Sequence, residues 1–189
     1  MEKKILVIVD AQNDFIDCAL GSSEAKACIP NICKRISDFK EGIIITTQDT
    51  HENNYLETPE GKNLPVEHCI RDTYGWGINV DVANSIISTA NLNQGKIDYK
   101  YIYKSTFGSI ELAEMINNIV RSTDEDVNIE ICGFVSSICV ISNALLIKTM
   151  LYDLNRATIS VLKDCCAGLN DYNHESALEV MKSCQINII

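Results

Sequence analysis

Several classes of protein are missing from this sequence by what it lacks. It has no excess of positive charge: 16 Lys and Arg stand against 26 Asp and Glu, a formal net charge of −10. Nucleic acids and anionic membrane surfaces are held by cationic faces, so neither is expected as a partner. No apolar run approaches the roughly 20 residues that span a bilayer. The apolar run after Met1-Glu2-Lys3-Lys4 is cut short by Asp10, too early for a secretory leader, which places the expectation in the cytoplasm. Histidine is scarce, with three residues, and tryptophan more so, with one. There is no CxxC pair, no repeat, no low-complexity tract and no linker. The nine cysteines are an odd number and mostly sit inside apolar segments. They read as reduced, buried, small apolar residues rather than a disulfide framework.

What is present is a chain of 189 residues, 46% hydrophobic and 22% charged, as expected of one domain over 1–189. The β-branched run Ile5-Leu6-Val7-Ile8-Val9 suits a central strand covered on both faces. Further strands are expected over 43–47, 99–103, 127–132, 157–162 and 186–189. Helices are expected over 30–39, with Pro30 in the first turn, and over 80–89, 111–120, 139–152 and 173–183. Strands alternating with helices define an α/β, doubly wound, mainly parallel sheet. Residues 50–79 show no periodicity, and a loop that long in a compact domain is usually functional.

In such folds ligands bind beyond the carboxyl ends of the strands. Asp10, Asp49, Lys104 and the turn before Cys139 all follow expected strand ends. Cys139 opens an apolar helical pattern, where the helix dipole favours a thiolate. A thiol nucleophile needs a group to take its proton and a charge to hold the ensemble, roles that Asp10 and Lys104 fit. The loop 50–79 holds two of the three histidines, His51 and His68, with Asp49 and Glu60. Imidazoles with carboxylates suit a borderline divalent ion such as zinc, manganese or iron. His174 reads as an ordinary surface residue at a polar helix start.

These segments carry a resemblance. Val9-Asp10-Ala11-Gln12-Asn13-Asp14-Phe15, Gln48-Asp49-Thr50-His51, Tyr103-Lys104-Ser105-Thr106-Phe107, Gly133 to Val140 and Asp164-Cys165-Cys166-Ala167-Gly168 resemble, in order, the motifs of the isochorismatase-like cysteine hydrolases. The metal motif is similar to that of their amidase branch, whose best-known substrate is nicotinamide. The resemblance implies a six-stranded parallel sheet with helices on both faces. It implies Asp10 as general base, Lys104 as electrostatic partner and Cys139 as nucleophile. It further implies a cis peptide before Val135, and an oxyanion hole from the backbone N–H groups of Val135 and Cys139. Asp49, His51 and His68 would hold one divalent metal ion, zinc first, with Glu60 as fourth ligand and Glu57 or Glu67 as alternatives. Phe15 would pack on the substrate ring, and Trp76 would either do so or anchor its loop. The implied partners are a small-molecule amide and further copies of the chain in a homo-oligomer. The turn Val135-Ser136-Ser137 departs from the family pattern, and Leu64-Pro65 stands where well-known relatives carry a ring-stacking aromatic residue.

Overall fold

A computed structural model describes residues 2–189. Strand β1 (Lys3–Val9) is followed by a short helix α1 (Asn13–Ile16) and by α2 (Ser23–Asp38), β2 (Gly42–Asp49), α3 (Pro59–Asn63), α4 (Val80–Leu92) and β3 (Ile97–Lys104). Then come α5 (Ile110–Arg121), β4 (Val127–Phe134), a π-turn (Ser136–Val140), α6 (Ile141–Met150), β5 (Ala157–Ala167), α7 (Asp171–Ser183) and β6 (Asn187–Ile188). The six strands form one sheet in the order β3-β2-β1-β4-β5-β6, and every pair is parallel. The expected sheet is thus found, with no antiparallel member among the described residues. Among the described residues no helix is long and apolar enough to cross a membrane.

The order explains the layers. From β1 the chain steps outward through β2 to β3, then returns to β4 on the other side of β1 and steps outward to β6. Right-handed crossovers in opposite directions put their helices on opposite faces. α2 and α4 accordingly pack together, and α5, α6 and α7 form a second group. Ile5, Leu6, Val7, Ile8 and Val9 are all buried, as a strand covered twice requires. The direction reverses between β1 and β4, so the crevice lies at their carboxyl ends. Here the two backbones touch. Gly133 pairs with Val9 at φ +118°, and a Cβ on it would stand 1.9 Å from the Val9 carbonyl oxygen.

Several boundaries differ from the sequence reading, three of them with a clear physical cause. α2 begins at Ser23, where the Ser22 hydroxyl accepts the Ala25 N–H at 3.0 Å, and Pro30 lies inside the helix. Burial of Ala25, Ile29, Ile32 and Ile36 outweighs the roughly 3 kcal/mol an interior proline costs. The segment around Cys139 opens as a π-turn, and the α-helix starts only at Ile141. β5 runs on to Ala167, five residues beyond the expected end at 162, because an irregularity opposite Ile131 and Gly133 turns Lys163 and Asp164 outward before pairing resumes at Cys166.

Candidate active site

Asp10 leaves β1 with φ +47° and is fully buried. Its Oδ1 accepts the Thr47 hydroxyl at 2.7 Å, and its Oδ2 lies 2.7 Å from Lys104 Nζ. Lys104 ends β3, with its side chain 2% exposed. Its ammonium also lies 3.5 Å from Cys139 Sγ and 3.6 Å from Asp49 Oδ1, and donates to the Thr106 carbonyl at 3.1 Å. One cation thus sits among two carboxylates and a thiol.

The electrostatics follow from burial. Desolvation raises the Asp10 carboxyl above its ordinary value, against the opposing pull of Lys104. Desolvation pushes the Cys139 thiol well up, Asp10 and Asp49 add to this, and Lys104 only partly offsets it. Burial would lower the Lys104 ammonium, but the charges of Asp10 and Asp49 raise it above its ordinary value. The dipole of the turn, which favours a thiolate, is thus opposed by a desolvated site beside two carboxylates, which pushes the Cys139 thiol up.

Asp49, His51, Glu60 and His68 converge, their ligand atoms all within 4.8 Å of one another. Glu57 and Glu67 are exposed and stand apart from this group. His51 Nε2 and His68 Nε2 lie 3.1 and 3.6 Å from the same Asp49 oxygen, and 3.7 and 3.8 Å from Glu60 Oε1. Bonds of about 2.1 Å in a tetrahedron give ligand separations of about 3.4 Å, so the spacing fits a divalent ion. Asp49 thus turns Oδ2 to the two histidines and Oδ1, buried and without a hydrogen-bond partner, towards the Lys104 ammonium. His68 Nδ1 meets the Val66 carbonyl at 2.8 Å, which fixes it as donor and turns the Nε2 lone pair inward. Glu60 is aimed by a tight turn: Thr58 caps α3 by accepting the Gly61 N–H at 3.0 Å, and Gly61 presses on the Tyr55 carbonyl, where a Cβ would stand 2.1 Å away.

Segment 10–15 is the bracket of the site. Gln12 Oε1 accepts the Asp49 N–H at 2.7 Å, and its Nε2 donates to the carbonyls of Asp49 and Trp76, each at 2.8 Å. Asp14 accepts the Cys69 N–H at 2.7 Å, holding the residue after His68. The Phe15 ring meets His68 edge-on at 5.7 Å. Asn143 ties the lysine loop to the nucleophile turn: it accepts the Ser109 N–H at 2.9 Å and donates to the Cys139 carbonyl at 2.8 Å. Sequence reading missed Gln12, Asp14, Thr47 and Asn143. Their signal, uncharged or acidic side chains beside strand ends, does not distinguish a buried clamp from a solvated turn.

Cys139, Asp49, Glu60 and His68 open on one cavity of about 660 Å³, walled by Phe15, Leu64, Phe107, Ile138 and Leu169. Val135 lines it too, and the Phe134–Val135 peptide is cis. Trp76 does not line it. Its indole N–H donates to Thr50 at 2.9 Å and its ring packs on Tyr103 at 5.4 Å, which makes it the loop anchor. His174 is also corrected: it is half-buried, and its Nδ1 lies 3.0 Å from the hydroxyl of the fully buried Ser136.

A buried thiol, carboxylate and ammonium thus meet at the switch point of a parallel sheet, a set of groups suited to cysteine hydrolysis. A family model for the isochorismatase domain matches residues 4–189, and the chain belongs to the isochorismatase family. The pyrazinamidase of Pyrococcus horikoshii, solved in complex with zinc, is similar at 26% identity and TM-score 0.74, over 99% of this chain and 98% of that one. The nicotinamidase/pyrazinamidase of Bacillus subtilis shares the fold at 19% identity and TM-score 0.77, over 98% of each chain. The pyrazinamidase/nicotinamidase of Streptococcus mutans does so at 22% and 0.76, over 99% of this chain and 100% of that one. No curated relative matches in sequence alone.

Proposed function

We propose that the chain is a metal-dependent cysteine amidase that hydrolyses nicotinamide to nicotinate and ammonia. The observation that carries this reading is the shared cation: Lys104 contacts Asp10, Cys139 and Asp49, so the thiol and the metal-ligand cluster face one cavity. The zinc in the Pyrococcus horikoshii pyrazinamidase supports it.

The residues divide the work as follows. Phe15 packs on the ring and sets the carboxamide before Cys139. As Sγ attacks the carboxamide carbon, Asp10 takes the thiol proton, and Lys104 compensates the charge that moves between them. The backbone N–H groups of Val135 and Cys139 accept the charge that develops on the carbonyl oxygen. Asp10 returns the proton to the departing ammonia, leaving a thioester. It then takes a proton from water, which attacks the thioester and frees the acid, and it returns that proton to the departing Cys139 sulfur. Asp49, His51, Glu60 and His68 would hold the divalent ion, which supplies a Lewis-acidic anchor for a ring nitrogen. A raised carboxyl at position 10 suits a base that works near neutral pH.

A second reading, a related cysteine amidase acting on another small amide or a carbamoyl compound, is favoured by the aliphatic wall. Leu64 and Leu169 line the cavity, and Trp76 does not. Ammonia release from nicotinamide and from a panel of small amides, with and without a chelator, separates the two. Loss of release in Cys139→Ala with folding intact is expected. Retained turnover in that variant would overturn the scheme for both.

A further inference from the structure

We infer that His174 is a positioning residue that locks the oxyanion turn through Ser136, an inference that rests on the cysteine-hydrolase reading of the site. Ser136 opens the π-turn that ends at Val140 and lies between Val135 and Cys139, whose N–H groups are assigned to the oxyanion hole. Its side chain is fully buried, and the contact that fixes it is His174 Nδ1 at 3.0 Å. The two residues are 38 positions apart in sequence, so the bond joins separate elements, the nucleophile turn and α7.

The histidine is itself held on its far side. The Asn170 side chain caps α7 by accepting the Asn173 N–H at 2.8 Å, and the His174 N–H donates to the Asn170 carbonyl at 3.0 Å. Gly168 brings the end of β5 against this first turn, where a Cβ would stand 2.8 Å from His174 N. Between them, Leu169 lines the cavity. One short stretch therefore forms part of the substrate wall and grips the turn that stabilises the transition state. The hole acts only if its N–H groups are fixed where the charge appears. The Ser136 backbone carries that requirement, because its carbonyl accepts the Ile141 N–H that closes the π-turn. With His174 removed, the Ser136 hydroxyl loses its anchor and the turn gains freedom where the chemistry is most sensitive to displacement.

The test uses His174→Ala, His174→Asn, Ser136→Ala and Ser136→Thr in the full-length, zinc-loaded protein. Asparagine places a side-chain amide near the position of Nδ1, and threonine keeps the hydroxyl. The expected result is a fall in kcat of about tenfold or more in His174→Ala and Ser136→Ala, with KM little changed and midpoints of unfolding near wild type. The double variant should fall no further than either single change. His174→Asn and Ser136→Thr should recover most of the rate. An unchanged kcat in His174→Ala, a loss confined to KM, or multiplicative losses in the double variant would overturn the inference. If His174→Ala does not fold, Ser136→Ala against Ser136→Thr decides by the same criterion. Absence of amide hydrolysis in wild type would instead refute the reading of the function, while iodoacetamide labelling of Cys139 would still compare the turn across variants.

Discussion

Replacing Lys104 by methionine tests whether one ammonium holds the centre together. Methionine keeps the length of the stem and removes the charge, leaving Asp10 and Asp49 buried beside each other without their shared partner. The Lys104 and Asp10 side chains are 2% and 0% exposed, so solvent offers little relief. Breaking a buried pair at one end costs about 3–5 kcal/mol. For a chain of this length each kcal/mol moves the midpoint by roughly 2–4 °C, so a fall of about 6–20 °C is expected. The pH dependence has a definite sign. Without the cation, desolvation and Asp49 raise the Asp10 carboxyl further above its unfolded value. The folded state then retains a proton that the unfolded state sheds, and stability is lost as pH rises through the folded value. The deficit of Lys104→Met relative to wild type should be wider at about pH 8 than at about pH 5. Changing both partners is milder than changing one. Asp10→Asn combined with Lys104→Met should therefore recover at least half of the loss, because asparagine tolerates the left-handed backbone at position 10. Urea denaturation in chelator at both pH values measures all of this. A loss below about 1 kcal/mol, the worth of an exposed pair, would refute the argument. So would a double variant no more stable than the single one.

Gly133→Ala should prevent folding or cost more than about 4 kcal/mol in denaturant melts, since its methyl group meets the Val9 carbonyl and its φ is left-handed. Gly95→Ala, also left-handed but with open space around it, should cost only about 1–2 kcal/mol. A zinc titration at 100 times Kd should stabilise wild type by about 2.7 kcal/mol in thermal melts, an effect absent in His68→Ala; equal shifts in both proteins would remove His68 from the ligand set. Because burial raises the Cys139 thiol, its alkylation by iodoacetamide, located by mass spectrometry, should be slow near neutral pH and climb through the alkaline range. A fast rate, constant between about pH 6 and 8, would mean a resting thiolate.

The β-branched runs of β1 and β2 and the amphipathic pattern of α5 were legible because hydrophobic period is a local property. The catalytic and metal-binding candidates were legible for a topological reason: a parallel sheet collects its strand ends on one edge, so Asp10, Asp49, Lys104 and Cys139 had to meet. What stayed hidden depends on contacts made across the chain. Gln12 and Asn143 act through backbone groups that are distant in sequence, and no pattern records the direction of a side-chain amide. His174 looked solvated because its own helix start is polar, yet its partner, Ser136, lies in another element. Pro30 marked the wrong helix start, because propensity gave way to the apolar face of α2. The opposing pull on Cys139 was hidden for the same reason: a local dipole was visible in the sequence, and the buried carboxylates around it were not.

The seam between β1 and β4 has a consequence for how the molecule can be divided. Asp10, Asp49, Lys104 and the whole metal-ligand cluster precede the exposed stretch 122–126, and Cys139 follows it. On the proposed assignment, a cut there would leave base, cation and metal ligands on a larger piece and the thiol on a smaller one. Turnover regained on mixing them would report the closing of that seam, making this fold a two-fragment sensor whose signal is its own reaction.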